Sequence, residues 1–117
     1  MIKVLVVDDE ENIRLLYREE LEDEGYAVTV AANAKEALEA FRSTPFDMIV
    51  LDIKMPDMDG IELLRIIKEE NKDIPVVLCS AYGRYKQDFR IWACDAYVVK
   101  SADLDELKLT LRQVLSA

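Results

Sequence analysis

Four short apolar runs, at 4–7, 48–51, 76–79 and 97–99, are rich in β-branched residues and nearly continuous instead of alternating. A strand with one wet face alternates; a continuous run belongs to a strand covered on both faces. A fifth, weaker run at 27–31 follows Gly25 and reads as an outer strand. Helical patterns fill the intervals. Ile13, Leu16, Tyr17 and Leu21 recur at helical spacing, and Gly25 is placed to end that helix. The segments 34–41, 61–67 and 85–93 read the same way, and Leu104, Leu107, Leu111, Val114 and Leu115 share one face of a last helix. Asn33, Asp59 and Asp103 each stand three residues before a glutamate (Glu36, Glu62, Glu106), the capping-box spacing that satisfies the free N–H groups of a first turn. Strand and helix thus alternate five times, which predicts a (βα)5 α/β fold: a five-stranded parallel sheet, doubly wound, with right-handed crossovers.

Composition sets the outer limits. A chain of 117 residues suits one domain, 1–117, and half of it is hydrophobic with a third charged, as in globular proteins. The formal net charge of -9 repels phosphate backbones, so direct nucleic-acid binding is not expected. No histidine is present, which removes the commonest general base and zinc ligand. Cys79 and Cys94 lack a CxxC spacing and read as buried, reduced thiols. No apolar stretch has the length needed to span a bilayer, and no signal-peptide pattern opens the chain, so the expected location is cytoplasmic, without membrane contact.

The strand ends carry the chemistry. Strand one runs into Asp8 and Asp9, strand three into Asp52, strand four into Ser80 and strand five into Lys100. With the strand order 2-1-3-4-5, borrowed from flavodoxin-like sheets, these groups converge on one rim, where doubly wound sheets bind ligands. Taken singly, a strand-end Asp is a turn or helix cap, Ser80 a loop hydroxyl and Lys100 a solvated charge. Together they form an unusual set. Three close carboxylates repel one another, and Mg2+ (or Mn2+) relieves that repulsion through oxygen ligands. Asp9 and Asp52 are expected as direct ligands and Asp8 as one acting through water. An oxygen of Asp52 then remains free to attack phosphorus, with Lys100 and Ser80 holding phosphoryl oxygens.

The segments VLVVDDE (4–10), IVLDIKMPDMDG (49–60), CSA (79–81) and AYVVK (96–100) resemble those of response-regulator receiver domains, nearly end to end and in order. The resemblance implies a phosphorylation-activated signalling switch in two-component systems, not an enzyme acting on other substrates. It makes Asp52 the phosphoacceptor, Asp8 and Asp9 the acidic pair at the metal, and the backbone carbonyl of Lys54 a further metal ligand. Ser80 is the mobile hydroxyl, Lys100 the ion partner of the phosphoryl group and Tyr97 the aromatic switch, a role that competes with that of a half-buried strand residue. Lys54 and Tyr82 stand where the family tunes phosphoryl lifetime. The phosphoryl donor would be a histidine kinase or histidine phosphotransfer protein. A downstream protein or effector domain would read the face formed by the fourth helix, fifth strand and fifth helix. Leu109, off the apolar stripe of the last helix, is a candidate for a phosphorylation-dependent dimer. Two positions depart from the family: Ser101 follows Lys100 where Pro is usual, and Ala93 replaces a common Gly. A cis bond before a non-proline residue costs about 2.5–4 kcal/mol, which bears on the loop after Lys100.

Three other readings compete. A magnesium phosphohydrolase would want a second Asp where Lys54 stands, and a flavin carrier would want a Ser/Thr- and Gly-rich loop where Asp8 and Asp9 stand. A degenerate receiver that only binds proteins would not need the full acidic set.

Overall fold

A computed structural model describes residues 1–81, 94–100 and 104–116. The order is β1 (Lys3–Val7), α1 (Glu11–Asp23), β2 (Ala27–Ala31), α2 (Ala34–Ser43), β3 (Met48–Asp52), α3 (Gly60–Glu70), β4 (Val76–Ser80), β5 (Ala96–Val99) and α4 (Asp105–Ser116). The five strands form one parallel sheet in the order β2-β1-β3-β4-β5, as expected. The helix expected over 85–93, together with Tyr82, Ala93, Ser101 and Asp103, lies outside the described residues.

The continuous apolar runs have their explanation in the two cores. Successive side chains of a strand point to opposite faces. Leu5, Val7, Ile49, Leu51, Val76 and Leu78 pack on one side with Ala34 and Ala37 of α2 and Leu63, Leu64 and Ile67 of α3. Val4, Val6, Met48, Val50, Val77 and Cys79 pack on the other with Tyr17 and Leu21 of α1 and Leu107 and Leu111 of α4. Each fully buried aliphatic side chain contributes about 1.5–3 kcal/mol relative to exposure, so the central strands must be apolar on both faces. The run at 97–99 departs from the expectation of a strand covered on both faces: β5 takes the edge that the borrowed strand order gives it, but its residues are mostly half-buried, with only Val98 fully buried. Cys94 is likewise half-buried, not buried, whereas burial pushes the Cys79 thiol up to about 12. Both cysteines are free.

Helix ends follow local chemistry, with two corrections. Gly25 ends α1 at φ 96°, and the bonds Gly25 N–H to Glu22 carbonyl and Tyr26 N–H to Leu21 carbonyl form the two-bond glycine cap. Asn33 caps α2 through the Glu36 N–H, but Glu36 reaches back to the Ala32 N–H instead of that of Asn33. Asp59 caps α3 through the Ile61 N–H, whereas Glu62 pairs with Arg65 along the helix and closes no box. A salt partner three residues on competes successfully for that glutamate.

Candidate functional site

Among the described residues the buried polar side chains are Asp8, Asp52 and Ser80, and all three stand at carboxyl ends of strands. Buried aspartates are uncommon unless paired, and perturbed acids in a cleft mark functional sites. The pairing here is shared. Lys100 Nζ lies 2.6 Å from Asp8 Oδ2 and 3.3 Å from Asp52 Oδ1, its own side chain largely buried. The sheet delivers these groups by register: Asp52 pairs with Cys79, Ser80 pairs with Val99, and the Lys100 N–H donates to the Ser80 carbonyl at 2.7 Å.

One ammonium does not balance two buried carboxylates. Burial raises Asp52 from 3.8 to about 7; the charge and hydrogen bond of Lys100 pull it down, and Asp8 and Asp9 push it up. Burial works against charged Lys100, yet hydrogen bonding and attraction from Asp8 and Asp52 hold it above its ordinary range. Asp8 is also held by the backbone: its Oδ1 accepts the Glu10 N–H at 2.9 Å, and its carbonyl accepts from Arg14 at 2.9 Å. Its N–H donates to the Ala31 carbonyl at 3.1 Å, which fixes the start of the loop against β2.

The donor set fits a hard dication. Asp8, Asp9 and Glu10 offer carboxylate oxygens within 4.8 Å of one another, with Asp8 buried and the other two exposed. Beside them a cleft of about 380 Å³ is lined by Asp9, Ile53, Lys54, Met55, Pro56 and Asp59. All-oxygen ligands beside an incompletely neutralised acid suit magnesium better than a softer metal.

Of the expected site residues that are described, all but Tyr97 fall at this rim or in the cleft beside it. Asp8, Asp52, Ser80 and Lys100 form its interior, and Asp9 and Lys54 line the adjoining cleft. Tyr97, two residues before Val99, packs partly buried against the core shared with α2 and α3. Tyr82 lies outside the described residues. Three participants escaped the sequence reading. Glu10 belongs to the acidic group, Arg14 holds the Asp8 carbonyl, and Asp57 bonds the start of α2. The acidic run after β1 gave a signal for Glu10; Arg14 and Asp57 gave none, because their partners are fixed only by folding.

Comparison with known proteins leads to the same place. The response regulator receiver domain family model matches residues 4–112. Regulatory protein AtoC of Escherichia coli is 35% identical over 97% of this chain and 25% of its own length. Sporulation initiation phosphotransferase F of Bacillus subtilis is 35% identical, over 97% of this chain and 93% of its own. The chain thus spans about a quarter of AtoC and nearly all of the phosphotransferase. Among solved structures, response regulator TrrA of Thermotoga maritima in complex with Mg(2+)-BeF superimposes with a TM-score of 0.95 at 46% identity, covering 97% of this chain and 99% of that one. TrrA in complex with histidine kinase ThkA gives a TM-score of 0.93 at 46% identity, covering 98% and 99%. Strand order, acids at the strand ends and a match along almost the whole sequence have one explanation: this chain belongs to the response-regulator receiver family of two-component signalling.

Proposed function

We propose that Asp52 accepts a phosphoryl group from a phosphohistidine of a histidine kinase or histidine phosphotransfer protein, and that this switches the surface read by a downstream protein. The observation that carries the reading is the buried Asp8–Lys100–Asp52 arrangement, in which burial raises Asp52 to about 7 against the pull of Lys100. A carboxylate oxygen of Asp52 forms the new P–O bond as the P–N bond of the donor breaks, and the leaving imidazole takes up a proton. Asp8, Asp9, Asp52 and the Lys54 carbonyl would hold Mg2+ (or Mn2+), which supplies charge neutralisation for the phosphoryl oxygens. Lys100 already sits 3.3 Å from Asp52 and provides an ammonium for the same oxygens. Ser80, buried one strand away, offers its hydroxyl, and Tyr97 is the ring that follows it.

The chain promotes its own phosphorylation and dephosphorylation in this reading and has no other substrate. Lys54 and Tyr82 govern the lifetime of the acyl phosphate; an unchanged or longer half-life in Tyr82→Gly would remove Tyr82 from that role. TrrA, the structural relative, forms a complex with a histidine kinase, which supports a kinase as donor here. Residues 1–117 act as one receiver unit, in the cytoplasm, without contacting nucleic acid or membrane. No helix among the described residues is long and apolar enough to cross a bilayer. Leu109, 54% exposed on α4, is available to a phosphorylation-dependent dimer.

Intact mass after incubation with acetyl phosphate tests the proposal. Wild type should gain one phosphoryl group only with Mg2+ present, and Asp52→Asn should gain none. An adduct that survives in Asp52→Asn would move the acceptor elsewhere and end the reading.

A further inference from the structure

The N-terminus of α2 is closed in part by a residue far along the chain. A helix leaves its first four N–H groups without intrahelical partners. In α2 the first regular helical bond runs from the Ala37 N–H to the Asn33 carbonyl at 3.0 Å, and the Glu36 N–H before it goes to the Asn33 side chain at 2.9 Å. The N–H groups of Ala34 and Lys35 go elsewhere. Ala34 and Lys35 donate to Oδ1 and Oδ2 of Asp57 at 3.1 and 3.2 Å, across 23 and 22 residues of sequence. Desolvation would raise this carboxyl, but the N–H groups of Ala34, Lys35, Asp57 itself and Met58 outweigh it and hold it below the usual range. The helix dipole favours the same charge at the same place.

Asp57 belongs to the loop at 53–59 that leaves Asp52. Two bonds pin the ends of this loop: the Gly60 N–H donates to the Ile53 carbonyl at 2.7 Å, and Asp59 accepts the Ile61 N–H at 2.7 Å. Between the pins, Lys54, Met55 and Pro56 line the cleft together with Asp9. Asp57 ties the middle of this loop to α2, while the Ala31 carbonyl just before α2 accepts the Asp8 N–H at 3.1 Å. The start of α2 thereby links the loop after β3 to the loop after β1.

We infer that Asp57 is a positioning residue for the cation site: by capping α2 it keeps the 53–59 loop, and Lys54 with it, at the cleft shared with Asp9. The inference rests on the reading of Asp9, Asp52 and the Lys54 carbonyl as the cation-binding set. Its physical basis is preorganisation. A loop that samples other conformations binds with an affinity reduced by the fraction of time it spends in the competent one. Loss of one middle anchor from a short loop pinned at both ends should weaken Mg2+ binding about 3–10-fold, not abolish it.

Calorimetric titration of the full chain with MgCl2 tests this, with wild type, Asp57→Ala, Asp57→Asn and Asn33→Ala side by side. Asn33→Ala strips the other half of the same helix cap and leaves the loop anchor in place. The expected result is Asp57→Ala about 3–10-fold weaker for Mg2+, Asp57→Asn between it and wild type, and Asn33→Ala equal to wild type though less heat-stable. Should the alanine variant fail to fold, the near-isosteric Asp57→Asn carries the comparison. Equal Mg2+ affinity in wild type and both Asp57 variants would overturn the inference alone. So would an Asn33→Ala loss as large as that of Asp57→Ala, since fraying of α2 would then explain both. A wild type that takes up no Mg2+ would remove the cation reading, and this inference with it.

Discussion

The two ends of the sheet use aspartate in opposite ways. At the amino ends of the strands, Asp95 accepts the Val76 N–H at 2.8 Å and pairs with Lys68 at 3.0 Å, and Asp47 accepts the Lys3 N–H at 2.8 Å. At the carboxyl ends, Asp8 and Asp52 are buried and share one lysine. The cause lies in strand direction. In a parallel sheet every strand presents its leading N–H groups at one edge and its trailing carbonyls at the other. A carboxylate at the amino edge finds backbone donors and becomes a structural clamp. A carboxylate buried at the carboxyl edge finds mostly acceptors and must look to a cation. The same residue type is therefore architecture at one end and chemistry at the other.

The sharpest way to strain this contrast is Gly60→Ala. A Cβ there would fall 2.1 Å from the Asp52 carbonyl oxygen and 2.7 Å from the Ile53 Cα, so backbone has to move. The expected loss is about 3 kcal/mol or more in urea unfolding, with reduced phosphoryl uptake because the displaced backbone is that of Asp52. Wild-type stability in this variant would mean that the rim is more yielding than its packing indicates. Next comes Asp95→Ala, which takes the acceptor from the Val76 N–H and leaves Lys68 its bond to the Ile74 carbonyl but not its carboxylate. It should cost about 1–3 kcal/mol while phosphorylation proceeds at the wild-type extent. Impaired phosphoryl uptake at full occupancy of the folded state would show that the two ends are not separable.

Asp52→Asn should act in the opposite direction on stability, by on the order of 1 kcal/mol at neutral pH in the presence of a chelator. In the folded chain Asp52 is raised from 3.8 to about 7. Between those pH values the folded state holds a proton that the unfolded state has released, so wild type loses stability as pH rises through the window. Asparagine does not titrate. The advantage of the variant should be absent at about pH 4, grow across the window and level off above about pH 7. Melting curves of both proteins across that range decide it; a constant difference would mean that Asp52 is not the strained group. The smallest effect is expected of Asp47→Ala, about 0.5 kcal/mol, since its bond to Lys3 is exposed and water replaces it. A loss as large as that of Asp95→Ala would show that exposure matters less at this edge than bond count.

Much of the architecture was legible because burial on both faces forces β1, β3 and β4 to be apolar throughout, and Gly25 could end α1 where only a positive φ would do. The partial burial of β5 was not legible, since a short apolar run reads the same whether one face or two are covered. Glu62 shows a similar limit: the capping-box spacing was present, but Arg65 stood equally near. At the rim, Asp8, Asp9, Asp52, Ser80 and Lys100 could be located because each ends a strand or stands within two residues of its end, and parallel strands bring such positions together. Arg14 and Asp57 act through backbone groups 6 and 23 residues distant, which no spacing in the sequence marks.

The amino-acid sequence by itself determined the alternation of strands and helices, the two-sided core and the identity of the acids, lysine and serine at the strand ends. These are properties of local pattern and of chain direction. Tertiary structure alone decided that Lys100 reaches both Asp8 and Asp52, that Asp52 is raised to about 7, and that Asp57 closes α2. Those outcomes depend on distance and desolvation between segments far apart in the chain, and both come into being only when the sheet is assembled.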